Sequence, residues 1–133
     1  MLRFVYGIFV LLHGLVHLWY VTLSQRWVEF QPEMGWTGES WRFSPLLSEG
    51  ATRGLATGLY SLATLGFVVG GIGVFARQDW WHPVIIGSAA FSAVIIALFW
   101  DGGLQRIVEK GLLGFLINAA LLIALLVFDW PSL

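Results

Sequence analysis

Four long runs of this sequence contain no Asp, Glu, Lys or Arg, and they constrain the fold more than any other feature. The runs cover residues 4–23, 55–76, 84–100 and 111–128. About 17 to 25 apolar helical residues, at about 1.5 Å each, cross a hydrocarbon layer of roughly 30 Å. Because lipid offers no partner for backbone N–H and C=O groups, a spanning run must pair them internally, as a helix does. The sequence therefore predicts four transmembrane helices.

The composition supports this prediction and excludes several classes of function. Hydrophobic residues make up 58% of the chain and charged residues 11%, whereas soluble domains average about half and about a quarter. The net charge of -1 comes from isolated charges, so there is no basic stripe for nucleic-acid phosphates. The chain has no cysteine, which excludes disulfides, thiolate metal sites and a cysteine nucleophile.

The expected architecture is all-α, a single membrane domain over residues 1–133 with one long connection at 24–54. That connection mixes tryptophan and phenylalanine with charges, which is typical of a segment at a membrane interface. Ser44-Pro45 predicts the cap and first turn of a helix leading into the second span. The first run could instead be a signal peptide, but it is longer than the usual apolar core of about 7 to 15 residues. Basic residues lie on both sides, so the orientation stays open.

Small residues three or four positions apart predict where the helices pack, because helix association in lipid depends on close approach. Such pairs and rows occur in the last three spans: Gly54 and Gly58, Gly66 and Gly70, Ala89, Ala93 and Ala97, and Gly111 and Gly114. Together they favour a compact bundle of four helices.

Two histidines, His13 and His17, lie four residues apart in the first run, so a helix places them on one face. Tyr6 and Tyr20 fall near the same stripe. Polar side chains within a span normally face the interior of a bundle, where they find partners. Counting depth along each span at about 1.5 Å per residue puts four uncharged polar residues near the level of the histidines: Ser61, Thr64, Ser92 and Asn118. These residues predict a polar layer inside the bundle.

Three interpretations of the polar layer are open. The preferred one is interhelical hydrogen bonding that holds the helices in register. In the second, His13 and His17 supply two ligands to a metal or redox site, and Asp101 or water completes the set. The third is a path for protons or small solutes.

The main expectation for cofactors is that there is none, with a metal ion or a haem as the alternatives. One haem cannot take both His13 and His17, because axial ligands come from opposite faces, although one histidine could act with a ligand from another chain. No Ser-His-Asp set can be assigned, so an enzyme is not expected. His82, near the opposite end, is predicted to be an interfacial residue.

Three short pieces of the chain, HGLVHLWY (13–20), RQDWW (77–81) and ALFWDGG (97–103), resemble small bacterial four-span proteins that are loosely DoxX-like. The resemblance implies a multi-pass protein of the bacterial plasma membrane, accessory to an oxidoreductase complex, and it carries over no site residue. The expected function is a structural or accessory role in a membrane assembly. The expected partners are the lipid bilayer and a membrane-protein subunit or a second copy of the chain.

Overall fold

The computed structural model describes residues 1–31 and 34–133, and these residues form helices and turns without a β-strand. The long helices are α1 (Leu2–Ser24), α2 (Glu49–Phe75), α3 (Trp81–Leu98) and α4 (Leu113–Leu126), and a π-helical turn at Val108–Leu112 leads into α4. With that turn counted as part of α4, all four helices are long and apolar enough to cross a membrane. The all-α class and the four apolar helices are confirmed.

The second helix begins at Glu49, between the predicted cap at Ser44-Pro45 and the start of its apolar run at residue 55. Ser48 is its N-cap, and the hydroxyl of Ser48 accepts a hydrogen bond from the Ala51 N–H at 3.1 Å. The predicted start at Ser44-Pro45 is wrong, since residues 41–46 form turns. The Ser44 hydroxyl instead accepts from the Ser40 N–H at 2.8 Å, so the cap-like serine serves a turn inside the long connection.

Two helices end in a left-handed residue that is an arginine rather than the usual glycine. Arg26 follows α1 with φ 55°, and Arg77 follows α2 with φ 56°. After α1, the Trp27 N–H donates to the Thr22 carbonyl at 3.0 Å, which is the long bond of a Schellman motif. A glycine is the residue from which such a helix end is usually predicted. Because an arginine stands in its place, neither helix end could be recognised from the sequence.

Consecutive helices pack on each other in chain order, and glycines make the contacts close. A Cβ on Gly14 of α1 would lie 2.6 Å from Cβ of Phe67 in α2, and one on Gly70 would lie 2.6 Å from Ile85 of α3. Of the predicted packing residues, Gly66 and Gly70 do face α3, whereas a Cβ on Gly54 or Gly58 would meet nothing within 4 Å. Small-residue spacing alone therefore identified only part of the interface.

The seam between α1 and α4 is different, because within the described residues the backbones of these two helices approach each other at far fewer points than those of consecutive helices. Near its middle it is crossed by a hydrogen bond from His13 to Asn118, 2.8 Å long. Towards one end the Tyr20 hydroxyl donates to the Glu109 carbonyl at 3.4 Å. Gly111, with φ 121°, has a non-helical conformation inside the π-helical turn that leads into α4. The bundle is therefore closely packed on three sides, whereas hydrogen bonds from side chains of α1 cross the fourth.

The long connection covers the C-terminal end of α3. Trp36 is 2% exposed. The last carbonyls of a helix have no partner within it. Residues 36–41 supply partners for the carbonyls of four successive residues at this end of α3 and just beyond it, from Ala97 to Trp100. Trp41 Nε1 donates to Ala97 (2.7 Å), Ser40 Oγ to Leu98, Trp36 Nε1 to Phe99 (2.8 Å) and the Trp41 N–H to Trp100 (2.7 Å). This segment is therefore part of the folded body.

The outward faces of the helices are apolar. Exposed large side chains include Phe4, Ile8, Leu12, Leu15 and Val16 on α1, Leu62, Leu65 and Ile72 on α2, Val94 on α3, and Leu113, Leu116, Ile123 and Leu126 on α4. The most buried positions, by contrast, include Ser92 and Asn118, both 0% exposed. This distribution is the reverse of a water-soluble fold, in which large apolar patches are rare on the surface.

Candidate polar network and seam cavities

A polar network lies at the centre of the bundle and joins three helices. His13 and His17 come from α1, Ser92 from α3 and Asn118 from α4. All four are buried, with exposures of 6%, 2%, 0% and 0%. The four-residue spacing on α1 puts both histidines on the face that looks into the bundle, as the helix period requires.

The hydrogen bonds of this network form a closed cycle with one direction. His13 Nε2 donates to Asn118 Oδ1 (2.8 Å), Asn118 Nδ2 donates to Ser92 Oγ (2.8 Å), and His17 Nδ1 donates to the His13 carbonyl (2.9 Å). Because His17 Nδ1 carries a hydrogen, an uncharged ring accepts through Nε2, and the Ser92 hydroxyl donates to it. We call these four side chains the polar network.

The second helix contributes an aromatic wall to the network. The ring of Phe67 lies 4.9 Å from the His13 ring and 5.4 Å from the His17 ring, measured between centroids. Thr64, predicted for the polar layer, is buried but donates to the Tyr60 carbonyl of its own helix at 3.0 Å. Ser61 lies on the exposed surface. The structure therefore brings Ser92 and Asn118 to the histidines, and leaves Ser61 and Thr64 apart from them.

Asp101 does not join the histidines. Its carboxylate pairs with Lys110 at 2.9 Å, and both side chains are about one-tenth exposed, at 9% and 10%. The described residues contain no group of three His, Cys, Asp or Glu side chains able to hold a metal ion. Both ring nitrogens of His17 are already engaged. Of the predicted metal ligands, His13 alone retains a nitrogen without a hydrogen bond inside the described chain.

Two polar contacts were not predicted from the sequence. Lys110 was not among the predicted site residues, yet it pairs with Asp101 and its side chain is 10% exposed. Opposite charges at the two ends of a short connection were the signal that could have suggested this pair. His82 lies at the other end of the bundle, with Nε2 3.6 Å from the exposed carboxylate of Asp129.

Two cavities lie in the seam between α1 and α4. The histidine cavity, of about 600 Å³, is lined among others by His13, His17, Tyr20, Val108, Leu113 and Ile117. The apolar cavity, of about 460 Å³, is lined among others by Val5, Tyr6, Phe9, Ile117, Ala120 and Leu121. Ile117 borders both cavities. These volumes lie in the usual range for small-molecule sites, about 300 to 1,000 Å³.

Comparisons with protein-family models, curated proteins and solved structures returned no match to this chain.

The network should stabilise the fold through Ser92 of α3, whose hydroxyl is hydrogen-bonded to His17 of α1 and to Asn118 of α4. We expect Ser92→Ala to lower the free energy of unfolding in detergent by about 1 to 2 kcal/mol, because His17 and Asn118 each lose a buried partner. Ser61→Ala, on the exposed face of α2, is the matched control and should change it by less than about 0.5 kcal/mol. Equal stability of the two variants in chemical denaturation would show that the network does not hold the bundle together.

Proposed function

We propose that this chain is a multi-pass membrane protein whose four helices cross the bilayer. Two observations support the proposal: the length and composition of the helices, and the large apolar side chains on their outward faces. Trp27 and Trp41, 69% and 52% exposed, would then lie at the membrane–water interface, where amphipathic rings are favoured. The bacterial plasma membrane is inferred from the DoxX-like resemblance alone.

We further propose that the protein has a structural or accessory role in a membrane assembly rather than an enzymatic one. The observation that carries this proposal is the closed hydrogen-bond cycle of the polar network. A catalytic acid, base or nucleophile must be free to reach a substrate, whereas Ser92, Asn118 and His17 are engaged with one another. Interhelical hydrogen bonds of this kind hold membrane helices in register. The partner would be another membrane protein or a second copy of the chain.

The two other functions predicted from the sequence have less support. A metal or redox site would need ligands beyond one nitrogen of His13, and Asp101 is paired with Lys110 instead. A proton or solute path would need polar groups leading from the network to both membrane surfaces. The hydrogen bonds of the network instead return from His17 to the His13 carbonyl.

Purification from native membranes tests this proposal. We expect the protein to be extracted only with detergent. In size-exclusion chromatography in mild detergent, its mass should be well above the sum of the 14.8 kDa chain and its detergent micelle, because a partner stays attached. Metal content and visible absorption of the same preparation should stay at background. A soluble chain after detergent-free lysis would contradict membrane placement. A lone chain in native membranes would contradict the accessory role, and stoichiometric metal lost in His13→Ala and His17→Ala would favour the metal site.

A further inference from the structure

His13, which lines the histidine cavity, has one ring nitrogen that the polar network leaves unused. His13 donates to Asn118 through Nε2, so an uncharged His13 ring accepts through Nδ1. Within residues 1–31 and 34–133, Nδ1 makes no hydrogen bond. It is also not one of the completely buried side-chain atoms that lack a partner, so it is accessible from outside the protein. The ring itself is 6% exposed and lines the histidine cavity. Among the described residues, Nδ1 of His13 is therefore an acceptor without a partner on a ring that lines this cavity, whose lining also includes Gln31 and Glu109.

The opening of the histidine cavity determines what kind of molecule can enter it. The cavity lies in the seam between α1 and α4, and its lining includes Val16 and Leu113, which are 61% and 57% exposed on the apolar outer surface. In the proposed membrane placement this surface faces lipid. A molecule that reaches His13 from there must be soluble in hydrocarbon, and one that bonds to an acceptor must carry a hydrogen-bond donor.

A small molecule fits this seam better than a helix of another chain. A helix with its side chains is about 10 Å across, and the bond between His13 and Asn118 crosses the seam. A helix that entered the seam as deeply as His13 and Asn118 would have to break that bond. A small molecule can occupy the histidine cavity with the bond intact.

We propose that the histidine cavity binds a neutral, lipid-soluble alcohol or phenol whose hydroxyl group donates to Nδ1 of His13. The apolar body of the ligand lies against Leu113 and Ile117, which line the same cavity. Glu109, which lines the same cavity, disfavours an anionic head group. This binding site goes beyond the accessory role proposed above and depends only on the membrane placement.

The test uses two probes of nearly equal shape, 4-nonylphenol and its methyl ether 4-nonylanisole, which cannot donate a hydrogen bond. Binding to the full-length protein in detergent is measured by titration. We expect the phenol to bind about tenfold more tightly than the ether, as one additional hydrogen bond implies. Non-saturable binding, or equal affinity for the two probes, would overturn the proposal.

His13→Gln separates the binding role of Nδ1 from the structural role of Nε2. The amide nitrogen of glutamine can take the position of Nε2 and still donate to Asn118, whereas the acceptor at Nδ1 is lost. We expect near-native stability and a phenol-to-ether affinity ratio near one. His82→Gln, at the other end of the bundle, should keep the wild-type ratio. A His13→Gln protein that keeps the tenfold preference would refute the role of His13.

Gly114→Leu provides a second variant that does not touch the network. A Cβ at Gly114 would meet only Ile96 at 3.5 Å, an ordinary contact, and Gly114 lines the histidine cavity. We expect the leucine side chain to fill the cavity and to abolish saturable binding of both probes, with no loss of stability. Unchanged binding would overturn the proposal. Loss of a subunit from the native complex in this variant would assign the seam to a partner helix and would equally overturn it.

Discussion

Trp36→Ala is expected to lower the free energy of unfolding in detergent by about 3 to 5 kcal/mol, the range for removing a buried aromatic side chain. Trp36 is 2% exposed, and its ring packs against Phe99 with centroids 6.0 Å apart. Its Nε1 donates to the Phe99 carbonyl at 2.8 Å, so the substitution also leaves an acceptor at the end of α3 without its partner. Chemical denaturation followed by circular dichroism measures the effect.

Trp27→Ala is the matched control for this prediction, because Trp27 lies in the same connection and is 69% exposed. We expect it to change the free energy of unfolding by less than about 1 kcal/mol. If the two tryptophan variants were equally stable, residues 36–41 would be a loosely attached loop. The conclusion that this segment caps the C-terminal end of α3 would then be wrong.

Lys110→Met is expected to lower the free energy of unfolding by about 3 kcal/mol, because it leaves the Asp101 carboxylate buried without its cation. The two groups are 2.9 Å apart and about nine-tenths buried. Asp101 also accepts from the Gly103 N–H at 2.8 Å, so it cannot simply turn towards solvent without losing that bond. Denaturation at neutral pH measures the change.

A double variant and an exposed pair make this prediction specific. Lys110→Met combined with Asp101→Asn should recover more than half of the loss, since the unpaired charge is removed while the amide oxygen can still accept from Gly103. Arg106→Met, which breaks the half-exposed pair with Glu109 at 4.0 Å, should cost less than about 1 kcal/mol. Equal losses in Lys110→Met and Arg106→Met would mean that the Asp101 pair is not a buried one.

The tryptophans illustrate how far sequence patterns reach. The tryptophans of the long connection contributed to its prediction as an interfacial segment, and Trp27 and Trp41 are exposed. Trp36 occurs in the same connection, yet it is buried on α3. Composition and spacing do not distinguish these residues, because the difference comes from the contact with Phe99, 63 positions away.

The polar layer shows the same division. Depth counted along each helix placed Ser61 and Ser92 near the histidines, because depth depends only on the rise per residue. Whether a side chain points inward depends on how each helix is rotated about its axis. Close contacts such as those of Gly14 with Phe67 and Gly70 with Ile85 position the helices. The result puts Ser92 in the centre and Ser61 on the surface.

The amino-acid sequence by itself determined the class of the fold and the number of apolar helices. The length and composition of each run show whether it can cross a bilayer, and a spanning run must pair its backbone groups internally. Tertiary structure decided that His13 bonds to Asn118, that Lys110 pairs with Asp101, and that α1 and α4 enclose two cavities. Each of these depends on side chains from separate helices meeting at one point. Only the packing of all four helices specifies where those points lie.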